Sequence, residues 1–252
     1  MRNLSTNRAI DNAIRVLMYG GVETHSQRWQ GISVVEDSCD RSNPMIEVCN
    51  AFISMQMIED KDRLAELCGA DLPWAEDHFQ ERIAGFPTNP GEQYKNWPHW
   101  VVDPKFMEGE MFSHTYQERF WPPPIAGIRY NMGDLDDVVA RLRSEPTTRQ
   151  AFLSIWHPED QDPFPANRRL PCTIGYWFKI NQGRLDVTYL IRSCDARRHF
   201  RNDVYMTQRL AHHVQESLLS NNIDVQLGVL SIWVGSLHCF KSDIYSLEKQ
   251  VK

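Results

Sequence analysis

The amino-acid sequence predicts an α+β fold built on one sizeable sheet. β-rich apolar runs and runs of helical period are interspersed, and they do not follow regular βαβ alternation. The chain has 252 residues, no internal repeat and no convincing linker, which predicts a single domain over residues 1–252. Hydrophobic residues make up 42% and charged residues 24%, which excludes a mostly disordered chain.

Each element has its own signal. Residues 1–20 read as a helix with Ile10, Ile14, Val16 and Leu17 as apolar positions, stopped by Gly20-Gly21. Residues 45–58 are apolar and partly β-branched, and predict a buried strand. Residues 64–84 are mostly helical in pattern, with a break at Pro73. Residues 86–105 read as a long ordered loop pinned by Trp97 and Trp100, and Pro122-Pro123-Pro124 as a rigid extended connector. Leu135, Val138, Val139 and Leu142 share one helix face, with acids in the first turn. Residues 151–156 predict a strand. Residues 173–180 and 185–191 predict a hairpin closed around Asn181-Gln182-Gly183. On its second strand Leu185, Val187, Tyr189 and Ile191 share one face, and Asp186, Thr188 and Arg192 the other. A helix is expected after Asp203, with Asp203 as its N-cap and Val204, Thr207, Ala211, Val214 and Leu218 on one stripe. Residues 228–234 form the last strong strand.

Charge and cysteines narrow the function. The chain has 27 Lys and Arg against 33 Asp and Glu, a net charge of −6, so no stable nucleic-acid partner is expected. No run of about eighteen apolar residues exists and the N-terminus lacks an apolar leader, so the expectation is a cytoplasmic protein without a membrane span. The 6 cysteines form no CxxC pair, which excludes zinc-ribbon and thioredoxin readings and predicts reduced thiols and no metal.

The residues able to carry chemistry lie between 149 and 243. They are Arg149 in EPTTRQ, Cys172 in RRLPCT, the run Arg192-Ser193-Cys194-Asp195, HFRND at 199–203 and GSLHCF at 235–240. Singly, each has a bland reading as packing, surface charge or a helix cap. In this order and spacing they resemble the thymidylate synthase superfamily, and most closely the phage deoxycytidylate hydroxymethylases. The matching words are RSCD, FRND and SIWVGSLH. Upstream, residues 112–119 look like the family's active-site Tyr segment, with Tyr116 as the Tyr, and residues 133–149 like its helix and Pro-x-x-Arg turn.

The resemblance implies a thymidylate synthase-like fold: one large mixed sheet flanked by helices, with a sheet face forming a homodimer interface. It implies a pyrimidine nucleoside monophosphate as substrate and 5,10-methylenetetrahydrofolate as cofactor. Cys172 resembles the nucleophile that adds to carbon 6 of the pyrimidine, and nearby arginines would favour its thiolate. Arg192 and Ser193 resemble the phosphate anchors, because a guanidinium fork suits a phosphate dianion. Arg149 matches an arginine that reaches across the dimer interface, although the second arginine of the family is Gln150 here. Arg28 is the candidate N-terminal phosphate arginine. Asp203 stands where thymidylate synthases carry Asn and the hydroxymethylases Asp. A carboxyl group suits the amino and ring-nitrogen edge of cytosine. Asn202, in the same word, is a further substrate-binding candidate. His238 resembles the sugar-binding His, with Phe240 where the family places Tyr and His199 where it has Gly. Asp195 resembles the pterin-binding carboxylate. Glu76 is the expected general acid/base, with Glu81 as runner-up.

Three readings stand at this point. The first is conversion of dCMP to 5-hydroxymethyl-dCMP. The second is the same fold acting on CMP or dUMP, including methyl transfer as in a synthase. The third is a nucleotide-binding or RNA-binding relative without turnover.

Overall fold

A computed structural model describes residues 4–26, 44–98, 109–122, 134–161 and 169–251, with Met107 and the paired segments 28–29, 32–33, 35–36 and 41–42. In chain order the elements are β1 (Leu4–Ser5), α1 (Thr6–Gly20), β2 (Val22–His25), β3 (Arg28–Trp29), β4 (Ile32–Ser33), β5 (Val35–Glu36), β6 (Arg41–Ser42) and β7 (Pro44–Gln56). There follow α2 (Lys61–Cys68), α3 (Trp74–Arg82), α4 (Tyr116–Phe120), α5 (Asp134–Ser144), β8 (Phe152–Ser154), β9 (Thr173–Asn181), β10 (Arg184–Asp195), α6 (Phe200–Leu219), β11 (Gln226–Phe240) and α7 (Ile244–Glu248). Trp100 and Pro123-Pro124 lie outside the described residues.

Seven strands form one mixed sheet in the order β1-β7-β11-β10-β9-β8, with β2 also on β7. β10 and β11 run parallel, while β9 and β7 flank them antiparallel. Parallel neighbours need a crossover, and α6 supplies it. Its expected stripe is buried throughout. The hairpin turn forms as expected, because Gln182 (φ 49) and Gly183 (φ 73) both take the left-handed conformation that a tight primed turn needs.

Three expectations change. Val16 is 56% exposed, because Ile10, Ile14 and Leu17 define the buried face of α1 and Val16 points off it. β7 is a strand but not a buried one: Met45 and Met55 are its buried residues, and Phe52 is 79% exposed. Ala51 and Ile53 pack against the core, and Phe52, which alternates with them along the strand, points away from it. Finally, α6 begins at Phe200 with His199 in the cap position, so Asp203 lies inside the first turn and is not its N-cap.

Strand alternation slips where the sheet meets the site. On β10 Leu185, Val187, Tyr189 and Ile191 are buried, and then Cys194. On β11 Ile232 and Val234 are buried, and then Leu237 and Cys239. The slip falls at Arg192–Ser193 and Gly235–Ser236, with the neighbouring Asn50 of β7 at φ 54. A Cβ on Gly235 would approach the Arg192 carbonyl oxygen at 2.7 Å, so the two strands close up only with glycine there. Such an irregularity re-aims side chains, and consecutive Arg192 and Ser193 both reach one cavity.

Gly228 has a comparable role at the other end of β11. The Val229 N–H donates to Asp186 Oδ1 at 2.7 Å, and a Cβ on Gly228 would fall on that oxygen. Gly228→Ala is expected to lower the stability by about 1–3 kcal/mol in urea titration. An unchanged midpoint would show that the carboxylate can step aside without cost.

Candidate active site

A cavity of about 580 Å³ opens where β10 and β11 end. Strand register builds its floor. Ser193 lies opposite Ser236, Asp195 opposite His238, and His238 opposite Glu47 of β7. Ser236 Oγ donates to Glu47, and His238 Nδ1 lies 3.3 Å from the same hydroxyl.

Cys172 stands at the mouth of the β9–β10 hairpin. Its carbonyl accepts from the Arg192 N–H at 2.8 Å. Arg192 also holds the preceding segment, donating through Nε to the Pro171 carbonyl (2.9 Å) and through Nη2 to Leu170 (3.2 Å), with its guanidinium 5.5 Å from the Trp156 ring centre. Burial pushes the Cys172 thiol up; Arg192 and Arg169 oppose this without overcoming it. The expected depressed thiol pKa is therefore not found in the free site.

Asp203 faces the cavity from the first turn of α6. Burial raises its carboxyl to about 6, against the positive charge of Arg82 and a hydrogen bond donated by Cys194 Sγ to Oδ2 at 3.6 Å. Tyr116 lines the same space. Its hydroxyl accepts from Thr173 Oγ1 at 3.2 Å, and the Arg82 guanidinium lies 4.1 Å from its ring centre. Burial pushes this phenol up, as do Cys172 and Asp203 through their charge.

The other predicted residues divide. Ser193, Asp195, His199 and His238 line the cavity, as Cys172, Arg192, Asp203 and Tyr116 do. Asp195 is already committed: Oδ1 accepts the Arg197 and Arg198 N–H groups at 2.9 and 3.0 Å, and Oδ2 accepts from Arg198 Nη1 at 3.0 Å. Asn202 turns away from the cavity and is clasped by Asp71, exchanging two hydrogen bonds of 2.8 Å. Phe240 is also outside the lining, where it is a platform for Arg198 at 5.2 Å. Arg149 lies on the surface, and its carbonyl accepts from Trp177 Nε1. Arg28 sits on β3, and its side chain is outside the described residues.

Glu76 does not line the cavity. It is bound by Arg209 (2.6 and 2.8 Å), Tyr205 (2.7 Å) and Gln80 (2.7 Å). Burial pushes this carboxyl up, but those hydrogen bonds together outweigh it and bring it down to about 2. Glu81, one turn on, does line the cavity and accepts from Gln117 Nε2 at 2.7 Å and from the Glu92 N–H at 2.7 Å.

Sequence reasoning missed several lining residues. Trp74, His78 and Arg82 of α3, Glu47 of β7, Ser236 of β11 and Arg169 all reach the cavity. The spacing of Trp74, His78 and Arg82 at i, i+4, i+8 is the signal that could have found the first three. With Trp97 and His199 they form an aromatic wall. Trp74 stacks on His78 (5.2 Å) and Trp97 on His199 (4.9 Å), and the Trp74 Nε1 is buried without a hydrogen-bond partner. A flat heteroaromatic ligand bearing acceptors fits such a wall.

The fold is that of thymidylate synthases. The thermostable thymidylate synthase A from Bacillus subtilis superposes with a TM-score of 0.67 at 14% identity, covering 98% of this chain and 84% of that one. The chain belongs to the thymidylate synthase family, whose profile matches residues 87–252. Members of this one-carbon transferase family bind a nucleoside monophosphate and folate, with methylenetetrahydrofolate as the one-carbon donor. A putative thymidylate synthase from Methanothermobacter thermautotrophicus is 27% identical over 162 residues, 60% of this chain and 69% of that protein. A deoxyuridylate hydroxymethyltransferase of Bacillus phage SP01 is 33% identical over 92 residues, 35% of this chain and 24% of the phage protein. The matched stretch spans 59% of two further archaeal relatives. Among the described residues no helix is long and apolar enough to cross a membrane, and no cluster of His, Cys, Asp and Glu is arranged to hold a metal ion.

The two α-helical carboxylates should respond oppositely to pH. Glu76 is depressed, so its stabilisation is present above about pH 4.5 and fades as pH falls toward about 2. Glu76→Gln is expected to cost about 1–3 kcal/mol at pH 7 and little in acid. Asp203 is raised, so stability is lost as pH rises from about 4 to about 6. Asp203→Asn should add up to roughly 3 kcal/mol at pH 8 and almost nothing at pH 4. Thermal melts across pH check both signs.

Proposed function

We propose that this protein is a pyrimidine nucleotide 5-hydroxymethyltransferase that converts dCMP to 5-hydroxymethyl-dCMP. The observation that carries the reading is the half-buried Asp203 carboxyl, which lines one cavity with Cys172. Cytosine presents an amino donor and a ring nitrogen that accepts. A carboxyl group and that ring nitrogen can share one proton in two hydrogen bonds, whichever of them holds it. An ionised carboxylate faces the O4 acceptor of uracil unfavourably. A second reading, a uracil nucleotide substrate, is favoured by the phage relative, described as a deoxyuridylate hydroxymethyltransferase.

In this mechanism Arg192 and Arg169 hold the substrate phosphate, and Ser193 adds a hydroxyl. Ser236 and His238 take the sugar. Because Phe240 points away from the cavity, it offers no selection for deoxyribose, and CMP is a related candidate. Cys172 adds to carbon 6 as its proton leaves, stabilised by the two arginines, and carbon 5 becomes enamine-like. Methylenetetrahydrofolate, when bound, supplies a one-carbon unit at the oxidation level of formaldehyde. The wall of Trp74, Trp97 and His199 would hold its flat ring, while the Arg198-bound Asp195 shapes the neighbouring turn. Carbon 5 takes up that unit and loses its proton, and tetrahydrofolate departs. Glu81, rather than Glu76, orders the water that adds to the exocyclic carbon and leaves a hydroxymethyl group, while Tyr116 steadies the reacting edge. Cys172 is then released from carbon 6.

Asp203→Asn is expected to invert the preference from cytosine toward uracil nucleotides by at least about tenfold in competition assays. An unchanged ratio overturns the role of Asp203 in reading the base. Arg149, on the surface of its own protomer, is assigned to the cavity of a homodimer partner packed against the sheet face that carries Phe52. Hybrids of Arg149→Ala with Cys172→Ala subunits should regain activity through one intact site, whereas no recovery would remove the shared-site arrangement.

A further inference from the structure

The cavity holds one cation that neither the phosphate nor the folate accounts for. Arg82 is 5% exposed, yet its guanidinium forms no ion pair with a carboxylate among the described residues. Burying such a charge without compensation is costly. Its pose is nevertheless well fixed. Nη2 lies 3.0 Å from His78 Nε2, the guanidinium stacks 4.1 Å from the Tyr116 ring centre, and its own carbonyl accepts from Trp121 Nε1 at 2.7 Å. Burial and the charge of Arg82 hold His78 well below its ordinary range, so it is neutral and accepts through Nε2. Arg82 Nε is buried without a hydrogen-bond partner. Two neighbours thus orient the guanidinium, a third holds the backbone behind it, and none neutralises the charge.

We propose that Arg82 is a positioning residue, the counter-charge for the Asp203 carboxylate across the cavity. The groups around Asp203 leave it little competition. Tyr116 from α4, Tyr176 from β9, Tyr189 and Cys194 from β10, and Cys172 are all pushed up by burial and are neutral near pH 7. Asp195 and its partner Arg198 offset each other in a separate ion pair. Arg82 and Asp203 both line the cavity, and the positive charge of Arg82 opposes the rise that burial imposes on the carboxyl. This deepens the base-reading role proposed above and rests on it for its consequence. Arg82 keeps Asp203 ionised at neutral pH, and so keeps uracil disfavoured there.

The test is a carboxyl titration by NMR on protein with carbon-13 at the Asp γ position, the Asp203 signal being assigned by its loss in Asp203→Asn. In Arg82→Met the Asp203 titration should move up by about one unit. In Arg82→Lys, which keeps the charge, it should stay within a few tenths of wild type. The pH at which dUMP begins to compete with dCMP should move up by the same interval in Arg82→Met. An unmoved Asp203 titration in a folded Arg82→Met protein overturns the proposal. Should Arg82→Met fail to fold, a shift in Arg82→Lys as large as one unit overturns it equally, because the charge is retained. If the titration moves and base preference does not follow, the counter-charge role stands and the base-reading role of Asp203 falls.

Discussion

The parallel pairing of β10 with β11 is the constraint from which the site follows. Two parallel neighbours cannot be joined by a tight turn, so the chain must leave the sheet and return. α6 makes that return, and its first turn is therefore delivered to the same sheet end as the last residues of both strands. Asp203 on the crossover, Ser193 and Asp195 on one strand, and Ser236 and His238 on the other meet for that topological reason. The antiparallel hairpin partner β9 then brings Cys172 against Arg192.

Burial sets the chemistry of what is brought together. Desolvation raises the Cys172 thiol, the Asp203 carboxyl and the Tyr116 phenol alike, and positive charge from arginines opposes it to different extents. Asp203 is left at about 6, a poise that is costly for folding. Glu76 shows the contrast. Given a guanidinium and a phenol as donors, it becomes a fixed structural anion holding α3 against α6.

The hairpin, α5 and the buried stripe of α6 were legible because period and turn chemistry agree there. Asp203 was misplaced at the helix boundary because His199 and Phe200 give no capping signal, although the FRND word pointed to it and it lines the cavity. The exposed face of β7 was not, because Val and Ile look the same on either face of a strand. The alternation slip at Arg192–Ser193 and Gly235–Ser236 depends on three strands closing together, which no local pattern records. Glu76 and Glu81 are both acids on or beside one short helix with a weak apolar stripe. Only the tertiary positions of Arg209 and Gln117 separate them. Arg82 and His78 went unread in the sequence, and packing makes them the inside of the cavity.

The central claim is that this cavity adds a hydroxymethyl group to a cytosine nucleotide. Mass spectrometry of the products tests it most directly, after incubation of the protein with methylenetetrahydrofolate and an equal mixture of dCMP, CMP, dUMP and UMP. A gain of one formaldehyde unit on dCMP is the expected result. A methyl gain, or a hydroxymethyl gain confined to uracil nucleotides, would contradict it.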